Sequence, residues 1–232
     1  MELIKKFINH SKIYFMQPKS LHLLLLVLVF ATSSSLIAQT NLYENPEFEA
    51  IAQNHKSIAI NPFKASISLR PKQMKETTPE QLKNMEISEG KSLQNAMFSW
   101  FLKRKKRNKL SIDVQEPSRT NALLKKQGIT LDNFDEFTKE EIAKILGVDA
   151  IISGTLETDK PMSEGASAAL GVLIGFWGST NTATINMFIH NGEDGVLLWN
   201  YNKKVRGSMG SSNDDLVNVL MRKASRRLAY TK

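Results

Sequence analysis

The 232-residue chain contains no cysteine. That excludes disulfide staples, thiolate metal sites and cysteine nucleophiles, and with them a lipid anchor on a cysteine behind an export signal. Histidine is nearly as scarce. Past residue 38 only His55 and His190 remain, far apart and without a carboxylate at ligand spacing, so no zinc pattern exists and no metal is expected. There is no Gly-x-Ser-x-Gly elbow. No Gly-Lys-Ser/Thr follows a glycine-rich loop, so a phosphate loop is absent too. The apolar run at residues 23–31 is nine residues long. A spanning helix needs roughly 20 mostly apolar residues, so the run is about half of what an anchor requires.

What is present starts with that run. Lys5, Lys6, Lys12 and Lys19 precede it, and Ser33, Ser34, Ser35 and Leu36-Ile37-Ala38 follow. A positive flank, a short apolar core and small residues before an alanine form a secretory signal peptide. Residues 1–38 are read as that signal, cleaved after Ala38. Met16 is an alternative start that keeps Lys19 and the apolar core. The whole chain carries 31 basic and 23 acidic residues. Removing four lysines and one glutamate with the signal leaves a mildly basic remainder, which does not argue for nucleic acid. The expected location is the periplasm or the outer membrane, with secretion as an alternative.

Residues 39–56 read as a loose, polar lead-in with a short helix. Residues 57–232 read as one α/β domain with a polar insertion at 64–84, taken as a loop, and an apolar insert at 163–180. Residues 57–63 form a first strand, ended by Pro62. Leu93, Ala96, Met97, Trp100 and Phe101 recur at three and four, which predicts a helix over 88–104. Residues 109–116 alternate as a half-buried strand. Pro117 opens and Gly128 closes a short helix. Thr138 and Glu141 have capping-box spacing, Ile142, Ile145 and Leu146 share a face, and Gly147 suits a left-handed stop. A buried strand over 148–156 follows. Alternation over 182–190 and 196–206 predicts a hairpin, and Val217, Leu220, Met221, Ala224 and Leu228 predict a last helix over 214–230. Trp100, Trp199 and Tyr201 belong to the core. The expected fold is α/β in the α+β sense: a mixed sheet of about five strands with helices packed on it.

The sharpest local pattern is Glu140-Glu-Ile-Ala-Lys-Ile-Leu-Gly-Val-Asp-Ala-Ile-Ile-Ser-Gly-Thr-Leu-Glu157. This helix, turn and strand resemble those of the curli-secretion channel subunit (CsgG) superfamily and the amino-terminal domain of TolB. Ile58-Ala-Ile-Asn-Pro-Phe63 resembles the first strand of those families, and the later order of elements is similar over most of 57–230. The resemblance implies an envelope protein acting in assembly, oligomeric scaffolding or export. It carries over no catalytic residue, because the motif consists of packing residues. Two features depart from the channel subunits: the anchoring cysteine is missing, and no pair of membrane-spanning hairpins is evident.

Two stretches are candidate contact surfaces. Leu170, Val172, Leu173, Ile174, Phe176 and Trp177 lie in the apolar insert, where Gly171 and Gly175 have small-xxx-small spacing. That insert reads as a flap over its own sheet, a subunit or partner contact, or a shallow membrane contact through Phe176 and Trp177. Lys103, Arg104, Lys105, Lys106 and Arg107 form the densest charge run. They read as a solvated helix end favoured by the dipole, or as a surface for anionic lipid or an acidic partner. Asp132, Asp135 and Glu136 do not have calcium-loop spacing. The expected function is non-enzymatic: binding, assembly or export scaffolding, with self-association or envelope proteins as partners, no cofactor and no nucleic acid. The alternatives are a secreted hydrolase using carboxylates or a serine, and a carrier of a small ligand or lipid.

Overall fold

The computed structural model describes residues 40–69, 71–158, 181–207 and 213–231. Their strands are β1 (Thr40–Glu44), β2 (Ser57–Ile60), β3 (Lys64–Ile67), β4 (Asp113–Val114), β5 (Ala150–Thr158), β6 (Asn181–Asn191) and β7 (Leu197–Gly207). The helices are α1 (Phe48–Ala52), α2 (Pro71–Glu76), α3 (Pro79–Lys106), α4 (Pro117–Lys126), α5 (Lys139–Leu146) and α6 (Asn213–Ala224). Short 3-10 turns lie at Phe134–Glu136 and Ser225–Arg227.

One mixed sheet runs in the order β1-β7-β6-β5-β2-β4, with β3 also on β5. β2 and β3 share one edge of β5: β2 pairs in parallel with residues 150–152 and β3 with residues 155–158. Pro62, lacking an N–H, sits in the break between them. From β5 outward through β6 and β7 to β1 the pairing is antiparallel. The expected α/β class is therefore what forms, with β1 and β3 as strands beyond the five.

Strand alternation sorts the sheet residues into two faces. Ile60, Ile152, Ile185, Met187, Trp199 and Tyr201 face α1, α3 and α6 in the main core. Ala59 and Ile151 face the other way, into a smaller cluster with Leu124 of α4 and Ile142 and Leu146 of α5. The helices follow their local signals. Thr78 and Gln81 exchange both capping-box hydrogen bonds at the start of α3, and Thr138 and Glu141 do so at α5. Gly147 ends α5 at φ 67°, the left-handed conformation expected of it.

Four expectations need correction. Residues 39–56 are not a loose lead-in: β1 pairs with β7 over five residues, and Phe48 of α1 is fully buried. Residues 64–84 are not a loop, because β3, α2 and the first turns of α3 occupy them. The strand expected over 109–116 is confined to Asp113–Val114, joined by an isolated bridge between Leu110 and Thr231. The last helix stops at Ala224, and the chain then turns so that Tyr230 O accepts from Ser111 N. Burial of Trp100, Trp199 and Tyr201 agrees with their assignment to the core.

Candidate functional site

Among the described residues, the second face of the sheet is covered at one end and open at the other. Among the described residues, α4 and α5 cover β2 and the start of β5. Farther along, alternation brings Thr155 of β5, Asn186 of β6, Asn202 of β7 and Asn41 of β1 into one cross-strand row. The adjacent row is Ser153, Phe188, Asn200 and Tyr43. These side chains are half-buried or exposed, Tyr43 at 45%. Asn200 Nδ2 donates to Asn186 Oδ1 at 2.7 Å and to the Met187 carbonyl at 2.9 Å. The result is a plane of amides with two aromatic rings, flanked by a further row of Glu157, Thr184 and Lys204. Alternation in β6 and β7 announced a polar face there; Asn41 and Tyr43 joined it only because β1 is a strand.

A groove marks the border between the covered and open halves. It consists of two cavities that share Pro62, Leu131 and Phe134 as wall. The smaller, about 360 Å³, lies over Ser153, Thr155, Phe188 and His190, with Lys64, Asp135 and Lys139 around it. Its floor is tight at Gly154, where a Cβ would overlap the Asn186 carbonyl and lie 2.7 Å from the Phe63 ring. Lys64 pairs with Asp135 at 3.9 Å, and Lys139 lies 5.1 Å from the Phe134 ring centre. Buried His190 Nδ1 has no hydrogen-bond partner. Burial, and then the Lys139 charge, push the His190 pKa down to about 4, so the ring is neutral at pH 7. The larger cavity, about 550 Å³, is walled by Ile87, Ala122, Leu124, Ile129, Leu131 and Phe134, with Lys91 and Lys125 beside them.

A separate polar chain closes one end of the domain. Tyr230 Oη donates to His55 Nδ1 at 2.7 Å. His55 Nε2 then donates to Asn191 Oδ1 at 3.0 Å, and Asn191 Nδ2 to Asp194 Oδ1 at 2.9 Å. Each donor has one acceptor in this sequence, which sets the imidazole tautomer. Burial, with Asp149 nearby, raises the Tyr230 pKa far above the ordinary value and keeps the phenol a donor. For Asp149, burial alone would raise the pKa. Hydrogen bonds from Lys56 N, Ser57 N and Ser57 Oγ, aided by His55, outweigh it and lower the pKa instead. His55, Asp149, Asn191 and Asp194 line an open recess of about 630 Å³ with Glu47 and Glu193. Because both His55 nitrogens are engaged, the ring ties α1, the β6–β7 turn and the chain end together and offers no free base.

Leu170, Val172, Leu173, Ile174, Phe176 and Trp177 lie outside the described residues. Lys103, Arg104, Lys105, Lys106 and Arg107 fall at the end of α3. The Arg104 guanidinium lies 4.9 Å from the Trp100 ring centre, and Lys105 pairs with Asp113, so part of the run serves its own domain. Asp132 and Asp135 bind lysines rather than converging. Among the described residues, no group of three or more histidines and carboxylates could hold a metal ion. No described helix is long and apolar enough to cross a membrane. Sequence reasoning missed the groove, since Pro62, Phe134 and His190 meet only through the sheet order.

No model of a known protein family matches the sequence, and no curated protein matches it. Solved structures with some likeness include lipoprotein GNA1162 from Neisseria meningitidis, at 16% identity and TM-score 0.45, covering 75% of this chain and 98% of that one. The PelC dodecamer from Paraburkholderia phytofirmans has 12% identity and TM-score 0.36, covering 84% and 99%. The LpoB C-terminal domain from Salmonella enterica has 11% identity and TM-score 0.30, covering 69% and 93%. At this depth of likeness no role passes from those proteins to this chain.

Proposed function

We propose that the chain is an exported cell-envelope protein that acts by binding and assembly and turns over no substrate. The observation behind this reading is the sheet face, open among the described residues, on which Asn41, Asn186 and Asn202 stand in register. Its amides are hydrogen-bond donors and acceptors. Such a plane suits a partner surface, where bridging water makes amide contacts effective. The partner is an envelope protein or a second copy. The apolar stretch from Leu170 to Trp177 supplies a further contact in this reading. Lys103, Lys106 and Arg107 supply an electrostatic one, toward an acidic partner or anionic lipid.

Size-exclusion chromatography with light scattering on the chain purified after export, with and without envelope membranes, tests the reading. We expect an assembly or membrane-derived complex larger than the monomer, broken by Asn186→Lys with Asn202→Lys and by deletion of residues 165–178. Both changes should leave the melting temperature nearly unaltered. A strictly monomeric chain that ignores envelope membranes would end the proposal, and so would a turnover activity abolished by one polar substitution.

A further inference from the structure

We infer that the larger groove cavity binds one unbranched fatty carboxylate, with its chain along the apolar wall and its acid group at Lys91 and Lys125. This goes beyond the assembly reading, and either can fail without the other. Three observations support it. First, the cavity, at about 550 Å³, has the size of a small-ligand site, and it continues past Pro62, Leu131 and Phe134 into the second cavity. A long, thin apolar body fits that shape better than a compact one.

Second, the charge is unbalanced in the direction an anion needs. Asp132, the carboxylate lining this cavity, is held by Lys83 Nζ at 2.5 Å. Among the described residues, no ion pair involves Lys91 or Lys125, which come from different helices, α3 and α4, and both line this cavity. Their aliphatic stems add to the apolar wall while their ammonium groups stay at the opening. Third, among the described residues the fully buried Asn61 side chain has no hydrogen-bond partner for Nδ2 or Oδ1. Asn61 follows Ile60 directly, with its N–H on the Ile152 carbonyl, so alternation turns its side chain to the Ala59 face, beside Pro62. An unsatisfied buried amide is costly in a closed core, and this one directly precedes Pro62, which walls both cavities.

Calorimetric titration of the chain purified after export separates the terms. The probes are decanoate, decan-1-ol with the same chain and no charge, and acetate with the charge and no chain. Decanoate should bind one to one and lose affinity as salt rises, decan-1-ol should bind more weakly, and acetate should not bind. Lys91→Gln with Lys125→Gln should weaken decanoate about five- to tenfold and leave decan-1-ol unchanged. Ala122→Phe, which fills the cavity, should abolish both. Both lysines are exposed, so the lysine pair decides the question whether or not Ala122→Phe folds. Decanoate that fails to bind below its micelle threshold would overturn the inference. Equal binding of decanoate and decan-1-ol would overturn it as well, as would decanoate affinity indifferent to the lysine change.

Discussion

Gly90 lies in the middle of α3, where a helix normally gains from alanine by about 1 kcal/mol. The structure argues the opposite at this position. Gly90 is fully enclosed against the link between β2 and β3: its carbonyl accepts from Phe63 N at 3.4 Å, and a Cβ built on it would overlap Phe63 O. The obstacle is backbone, so no rotamer change relieves it. Nor can α3 back away freely, because Leu93, Met97, Trp100 and Phe101 hold it in the main core. Forcing a methyl into such a backbone contact costs about 3 kcal/mol or more, the top of the usual overpacking range, and subtracting the helix gain leaves about 2 kcal/mol or more of net destabilisation for Gly90→Ala. In a domain of this size that lowers the melting temperature by about 5 °C or more. Gly128→Ala is the comparison, since Gly128 has φ +72° but nothing within 4 Å of a built Cβ. It should cost only the left-handed penalty, about 1 kcal/mol. Urea titration of both variants with matched thermal melts provides the assay. A Gly90→Ala protein as stable as the parent, or more so, would show that α3 does not press on Phe63 and would refute the packing described here.

Tyr230→Phe keeps the edge-on contact with Phe48 at 5.4 Å but removes the donor to His55, and should cost about 1–2 kcal/mol in urea titration. Thr138→Ala removes the side-chain acceptor for Glu141 N and should cost about 1 kcal/mol, with hydrogen exchange faster in the first turn of α5. The His190 pKa falls from an ordinary 6.5 to about 4 on folding, through burial and then Lys139. The unfolded chain therefore gains its proton first as pH drops; this stability is complete above 6.5 and is lost progressively toward 4. The ring is partly exposed, so the loss should be about 1–2 kcal/mol, less than the full shift implies. His190→Gln should flatten the urea-midpoint profile across that window, and an unchanged slope would count against the described environment.

The parts legible in the sequence were those whose cause is local. Thr138, Glu141 and Gly147 cap α5 because their spacing alone satisfies its end groups. Leu93, Met97 and Phe101 marked α3, and the alternation of β6 and β7 marked their hairpin, because each buries one face. β1 has little of either signal. Leu42 is the residue of β1 that packs on the core, and the strand forms because β7 offers an unpaired edge to it. β3 shows Ala65 and Ile67 inward and Lys64 and Ser66 outward, too short a pattern to stand against a polar, proline-flanked stretch. Its partner β5 lies some ninety residues away, and nothing near Lys64 encodes that pairing.

The same division explains why the candidate site was less readable than the core. Apolar periodicity reports burial against a neighbour, and the groove is the place where burial stops. Pro62 follows a strand, Phe134 opens a 3-10 turn and His190 lies at the end of an alternating run. Each has an ordinary local reason to be there, and only the crossing of β2 and β3 on one edge of β5 gathers them around a cavity. Asn61 was the nearest to a warning: a polar residue after three buried ones, where the apolar pattern ought to continue or the chain ought to reach solvent. It does neither, because Pro62 turns the backbone while α3 closes over Phe63. A buried amide with no internal partner is a cost that the Ile58–Ile60 pattern does not require, since an apolar residue would fit the same face. Its presence beside the groove argues that this part of the domain is shaped by something other than its own stability.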